Sequence, residues 1–255
     1  MKRLLKKEKE MMNLFGEGAC EIGAIYCFDN VSSTMDVAFE LDETMVKDRT
    51  IVIAESQTHG RGRFDRTWYS GSGSIILSII LLQFDFRIPY SMLAAFAVYR
   101  TFRRLTERVR LKWVNDVLWE NGKKVCGILT EERNGRTVIG IGVNLNNRSF
   151  PPSIVEYATS YYLETGRQVN LKVFTSRIIM ELFDIFKRQR MEGVESVMRE
   201  WEIESRMLNR TVRVVTTAGE FLGVVRGINR QTGALELLTE KGLREIYDGT
   251  LFYLE

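Results

Sequence analysis

Residues 75–82 are apolar except for Ser78, and most other apolar residues recur at the spacing of half-buried elements. Eight residues are far too few to cross a bilayer, so the run predicts a buried central strand. Residues 24–28 and 51–54 read as further strands. Between them Ser33, followed three residues on by Asp36, has the signature of a helix start ahead of Val37, Ala38 and Leu41. Residues 90–105 mix Leu, Ala, Phe and Val at helical spacing. Asn121-Gly122 and Asn134-Gly135 each separate strand-like stretches and predict hairpins, giving a meander over 111–145. Phe174, Ile178, Leu182 and Ile185 mark the apolar face of a helix beginning near Leu171.

From Asn209 the rhythm shortens. Strand-like segments at 211–215, 221–228, 234–238 and 244–247 are separated by Gly219, Gly233 and Gly242, the pattern of a small β-barrel. A unit of that size is near the lower limit of independent folding, so it is expected to lean on the larger domain. Residues 1–18, mostly Lys and Glu with scattered Leu and Met, predict a marginal helix or a frayed, solvated lead-in. The expected organisation is an N-terminal extension at 1–23, a catalytic domain at 24–208 and a C-terminal domain at 209–255.

Composition narrows the function classes. The 255 residues are 45% hydrophobic and 27% charged, enough to bury a full core, and 36 basic against 33 acidic residues leave a formal charge of only +3. That balance argues against an electrostatically driven nucleic-acid binder. Cys20, Cys27 and Cys126 are odd in number and widely spaced, which points to unpaired thiols in a reducing compartment, the cytoplasm. With His59 the lone histidine, no zinc-ligand cluster is readable. The charged N-terminus lacks the apolar core of a signal peptide, and no membrane span is expected.

The polar stretch 55–74 is longer than an ordinary connection and carries four glycines and no proline. Within it Gly60-Arg61-Gly62-Arg63 combines backbone freedom with two planar cationic forks, the makings of an anion-gripping loop. Arg-Gly alternation is also common in solvated loops. Its neighbours sharpen it: Ser33-Thr34, Gln57, this loop, Trp68, Lys112-Trp113-Val114-Asn115-Asp116, Lys124 with Gly127, and Gly140-Ile141-Gly142-Val143-Asn144-Leu145-Asn146. In this order, with a small barrel after them, these segments resemble the biotin protein ligase family over nearly all of the chain after about residue 24.

That resemblance implies an α+β fold, a class II synthetase-like catalytic domain with a mixed sheet and helices, followed by an SH3-like barrel. It implies ATP-dependent activation of biotin to biotinyl-5′-AMP and transfer to a lysine of a biotin carboxyl carrier protein. It places Arg61 and Arg63 over the adenylate, Lys124 at the biotin carboxylate and reacting phosphate, and Lys112 near the triphosphate. Ser33, Thr34, Gln57, Gly60, Arg61, Gly62, Arg63, Lys124 and Gly127 fall to the biotin side, and Arg61, Arg63, Trp68, Lys112, Asn115, Asp116 and Asn144 to the nucleotide side. Asp116 is the expected Mg²⁺ ligand, since a carboxylate with the neighbouring amide of Asn115 suits a hard ion that keeps several waters and bridges phosphates. Cations aimed at crowded phosphates are the expected main source of catalysis, Lys124 foremost.

Alternative readings attach to several of these positions. Ser33 also serves as a plain helix cap, Gly140 and Gly142 as close packing in a strand, and Trp68 as a core aromatic at a strand start. Two positions depart from the family pattern: Val114 stands in place of proline, and Met35 where some members carry Asn. A lipoate or octanoate ligase of similar fold is the enzymatic rival. A biotin-responsive nucleic-acid-binding regulator is the other, although about two dozen residues before the first strand are too few for a three-helix DNA reader. The Arg-Gly loop is expected to be mobile without ligand and to order over it. The resemblance also allows a homodimer through the catalytic domains.

Overall fold

The computed structural model describes residues 2–64, 66–82, 85 and 89–254; Met1 and Glu255, the outermost residues of the first and last expected segments, lie outside them. In chain order the elements are α1 (Lys2–Asn13), a short 3-10 helix (Gly16–Glu21), β1 (Ala24–Val31), α2 (Thr34–Glu40), a 3-10 turn (Glu43–Met45), β2 (Thr50–Gln57), β3 (Ser74–Leu81) and α3 (Tyr90–Arg103). A meander follows: β4 (Val109–Lys112), β5 (Asp116–Trp119), β6 (Lys124–Arg133) and β7 (Arg136–Asn144). Then come α4 (Tyr161–Thr165), α5 (Leu171–Glu192) and α6 (Val194–Ser205), and finally β8 (Thr211–Thr216), β9 (Gly219–Ile228), β10 (Leu235–Thr239), β11 (Gly242–Ile246) and β12 (Thr250–Tyr253).

Among the described residues the strands form two sheets, one of seven strands in the order β1-β2-β3-β7-β6-β5-β4 and one of five in the order β11-β10-β9-β8-β12. In the larger sheet β1 and β2 run parallel and every other neighbouring pair is antiparallel. This is the expected mixed sheet with helices. The meander turns where the Asn-Gly pairs stand: Gly122, Asn134 and Gly135 all take positive φ, the geometry a tight hairpin demands.

The run over 75–82 supplies the central strand β3, which is buried along its whole length, with Leu82 exposed just beyond its end. Because side chains alternate across a sheet, its residues serve two layers. Ile75, Leu77, Ile79 and Leu81 join the main core with α3 and α5, while Ile80 packs on the other face with Met35 and Ala38 of α2, Val52 and Val138. Ser78, the polar member of the run, lies on that second face, where its hydroxyl donates to Thr34 Oγ1 at 2.8 Å. The α2 side of the sheet is thus where apolar packing gives way to polar groups.

Three elements extend the reading made from sequence. β12 completes the smaller sheet by pairing with β8. α4 and α6 were not legible, and α6 does the joining: Glu202 accepts from Ile228 N at 3.0 Å and pairs with Arg230 at 2.8 Å, tying helix to C-terminal sheet. Trp113 Nε1 donates to Gly233 O at 2.9 Å, a second tie. The expectation of a solvated N-terminal lead-in is corrected. Met11 and Phe15 are buried in the main core, Lys7 pairs with Asp29 and Glu55, and Lys172 pairs with Glu10. Two apolar anchors at i and i+4 supply burial that a count of Lys and Glu conceals.

Candidate active site

A cavity of about 350 Å³ opens on the α2 face of the larger sheet, between the loop 58–73 and the β11–β12 turn. Every expected site residue lines it except Gly60, which stands behind, where a Cβ would collide with the Gln57 amide and the Trp68 carbonyl.

At the α2 end the polar groups are already organised. Ser33 caps α2, its Oγ accepting from Met35 N at 3.2 Å, so the plain capping role is present. Gln57 Oε1 accepts from Thr34 N at 3.3 Å. The floor is bare backbone. Gly142 and Gly127 are paired across β7 and β6, and the Trp68 indole lies over both: a Cβ on Gly127 would stand 2.9 Å from its ring, and one on Gly142 would meet it closer still. A Cβ on Gly140 would be 2.7 Å from Met35 Sδ. These glycines are therefore packing glycines that also make room for aromatic and thioether walls, and Trp68 belongs to the loop, well before β3 begins, rather than to a strand start.

The loop has internal structure. Gly62 N donates to Arg66 O at 2.7 Å and Trp68 N to Gly60 O at 2.9 Å, with Arg61 bridged to Thr67, so it folds back as a small hairpin. Its arginines face different carboxylates. Arg61 pairs with Asp36 of α2 and, at 3.4 Å, with Glu131 of β6. Arg63 donates to Asn115 Oδ1 and to Gly249 O, both at 3.3 Å, and pairs with Asp248.

The far end carries lysines. Lys124 Nζ stands 2.5 Å from Asp116 Oδ1 and 5.9 Å from the Trp68 ring centroid. Lys112 Nζ lies 5.7 Å from the centroid of Phe252 on β12. Burial pulls the Lys112 ammonium below the ordinary lysine range, Asp116 pulls it back, and Lys124 and Arg66 push it down further. Burial likewise lowers Arg63. The cavity thus gathers partly desolvated cations at this end, an arrangement suited to an anionic ligand. Asn115 is fully engaged, donating to Ile128 O while accepting from Arg63, so it orients the arginine. Asn144 donates to Lys124 O at 3.5 Å, and its Oδ1 is buried with no protein partner among the described residues. The Trp113–Val114 peptide, at the position of the family proline, is cis.

Among the described residues no group of three or more His, Cys, Asp or Glu side chains is placed to hold a metal. Among the described residues Asp116 is the carboxylate that lines the cavity, a donor that fits Mg²⁺ when phosphates and water complete its shell. The cysteines are free, and burial pushes the Cys27 thiol up to about 11 and Cys126 higher, which keeps both as neutral thiols.

Residues that carried no motif also line the cavity. Tyr157 is 70% exposed at its mouth, its carbonyl accepting from Lys124 N at 2.7 Å, and the turn Gly249–Leu251 closes the other side. Neither is readable locally, because both arrive at the cavity through tertiary folding alone.

The fold and this cavity are those of a biotin/lipoate-type protein ligase. The family model described as "Biotin/lipoate A/B protein ligase family" matches residues 27–146. The bifunctional ligase/repressor BirA of Bacillus spizizenii is 32% identical over 235 residues, covering 88% of this chain and 72% of that protein. The biotin–[acetyl-CoA-carboxylase] ligase of Paracoccus denitrificans is 29% identical over 217 residues, covering 79% and 89%. The biotin protein ligase of Aquifex aeolicus, solved in complex with biotin and ATP, superposes with a TM-score of 0.83 at 27% identity, covering 91% of this chain and 100% of that one. The chain belongs to the biotin protein ligase family. No helix among the described residues is long and apolar enough to cross a membrane.

Proposed function

We propose that this chain is an ATP-dependent biotin protein ligase acting in two steps at the cavity beside α2, with residues 24–208 as its catalytic domain and 209–255 as a C-terminal domain that closes one side of the site. The observation that carries this reading is a single cavity with fixed polar groups at one end, an apolar glycine floor in the middle and Lys112, Lys124 and Arg63 at the other. Biotin has the matching order of parts: a urea-bearing bicycle, an aliphatic chain and a carboxylate.

Ser33, Thr34 and Gln57 hold the urea end, and Trp68 covers the chain over Gly127 and Gly142. In the first step a carboxylate oxygen of biotin attacks the α-phosphorus of ATP. The new O–P bond forms as the bond to pyrophosphate breaks, leaving biotinyl-5′-AMP. Lys124 leaves Asp116 for the reacting phosphate, Lys112 takes the departing phosphates, and Arg61 and Arg63 hold the adenylate. Asp116 is the residue that would hold Mg²⁺, and the ion would supply neutralisation of phosphate charge.

In the second step a neutral lysine ε-amine on the carrier protein attacks the anhydride carbonyl. The amide forms, AMP leaves with the bonding pair, and the amine proton passes to solvent. The anhydride is already activated, so positioning rather than a strong base sets the rate.

The matching family model spans biotin and lipoate ligases, so the test is the choice between them. Biotin-dependent ATP–pyrophosphate exchange that lipoate fails to support is the expected result; exchange with lipoate and none with biotin would overturn the assignment.

A further inference from the structure

The half-buried Arg63 of the loop is held from outside the catalytic sheet. Arg63 is 22% exposed at its side chain, and among the described residues Asp248, in the turn between β11 and β12, is the carboxylate within ion-pairing range of it. The same guanidinium donates to Gly249 O in that turn and to Asn115 Oδ1 at the head of β5. Among the described residues the loop's backbone hydrogen bonds near this point are its own, Gly62 to Arg66, Arg66 to Arg63 and Trp68 to Gly60. Arg61, two residues earlier, is fixed within the catalytic domain by Asp36 and Glu131. One arginine thus ties the loop to the catalytic domain, and the other ties it to the C-terminal one.

We infer that Asp248 is a positioning residue. It seats Arg63 at the mouth of the cavity, so the C-terminal domain sets how long an activated ligand stays under the loop. Gly249 takes φ +154°, and a Cβ there would stand 2.9 Å from both Val214 and the Val215 carbonyl, which pins the turn against β8. Asp248 is therefore carried beside closely packed backbone. A carboxylate on a pinned turn can fix a flexible fork, where one on a mobile loop would follow it. Asp248 is 57% exposed, so its hold on the half-desolvated guanidinium should be that of a partly solvated pair.

The inference deepens the ligase reading, and two measurements separate their failures. In full-length protein, Asp248→Asn should release pre-formed biotinyl-AMP about fivefold faster than wild type, the size of a partly exposed ion pair. Biotin affinity without ATP should be unchanged, and Asp248→Glu should restore slow release. Trypsin cleavage after Arg63 in ligand-free protein should quicken by a similar factor in Asp248→Asn and return toward wild type in Asp248→Glu. The cleavage assay needs no activity, so it tests the tie even if the protein forms no adenylate, an outcome that would count against the ligase reading instead. Equal cleavage rates in wild type and Asp248→Asn, or equal adenylate release, would overturn the role of Asp248.

Discussion

Lys124 Nζ lies 2.5 Å from Asp116 Oδ1 across the paired strands β5 and β6, so the ammonium assigned to the phosphates begins the cycle paired to the carboxylate assigned to the metal. Each group holds the other in place and neither is left uncompensated in a half-buried site. The expected consequence is asymmetric. Lys124→Ala should slow single-turnover formation of biotinyl-AMP by about 10²–10³-fold, the loss typical of removing one preorganised charge from a transition state. Adenylate formation at the wild-type rate in Lys124→Ala would remove Lys124 from the chemistry.

The glycine floor makes a separate prediction. Gly142→Ala places a methyl where the Trp68 indole lies, while β-strand backbone at that position accepts alanine. The strand should hold and the tryptophan should move, at a cost of about 1–3 kcal/mol in packing. Biotin affinity should fall and tryptophan emission should shift with no change in far-ultraviolet circular dichroism. Unchanged affinity would mean that Trp68 does not wall the biotin slot.

Lys112 gives a pH dependence with a definite sign. Its folded pKa is lowered by burial from the ordinary 10.5, so in the window just below that value the unfolded chain binds the proton more tightly. Stability at this site therefore rises with pH across the window. Lys112→Gln should be more stable than wild type at neutral pH, and the difference should narrow as pH approaches 10.5. Urea denaturation of both proteins at neutral and alkaline pH measures it; a pH-independent difference would contradict the buried-cation assignment.

Much of the fold could be read from residue pattern because the signals were local. The apolar run around Ser78 became β3, the Asn-Gly pairs became the meander turns, and Ser33 with Asp36 opened α2. The order of polar segments also placed thirteen of the fourteen expected residues on one cavity, Gly60 standing just behind it. What escaped was non-local. β12 is four residues long and gains its meaning from pairing with β8, α6 carries as many charges as apolar anchors, and the meeting of Arg63 with Asp248 joins positions 185 residues apart in sequence. No window along the chain contains both.

The N-terminal segment offers a direct test of one such correction. Phe15 is 5% exposed in the main core, so Phe15→Ala should lower stability by about 3 kcal/mol, within the range for truncating a buried aromatic. A solvated lead-in would show no loss. Equilibrium denaturation in urea distinguishes the two.

The account centres on transfer of biotin through an adenylate held in this cavity, and mass spectrometry of an acceptor tests that most directly. A purified biotin carboxyl carrier domain incubated with this protein, biotin and Mg-ATP should gain the mass of one biotinyl group, on one lysine, with no gain when ATP or biotin is omitted. An unmodified carrier in the complete mixture, from protein shown to be folded, would contradict the account.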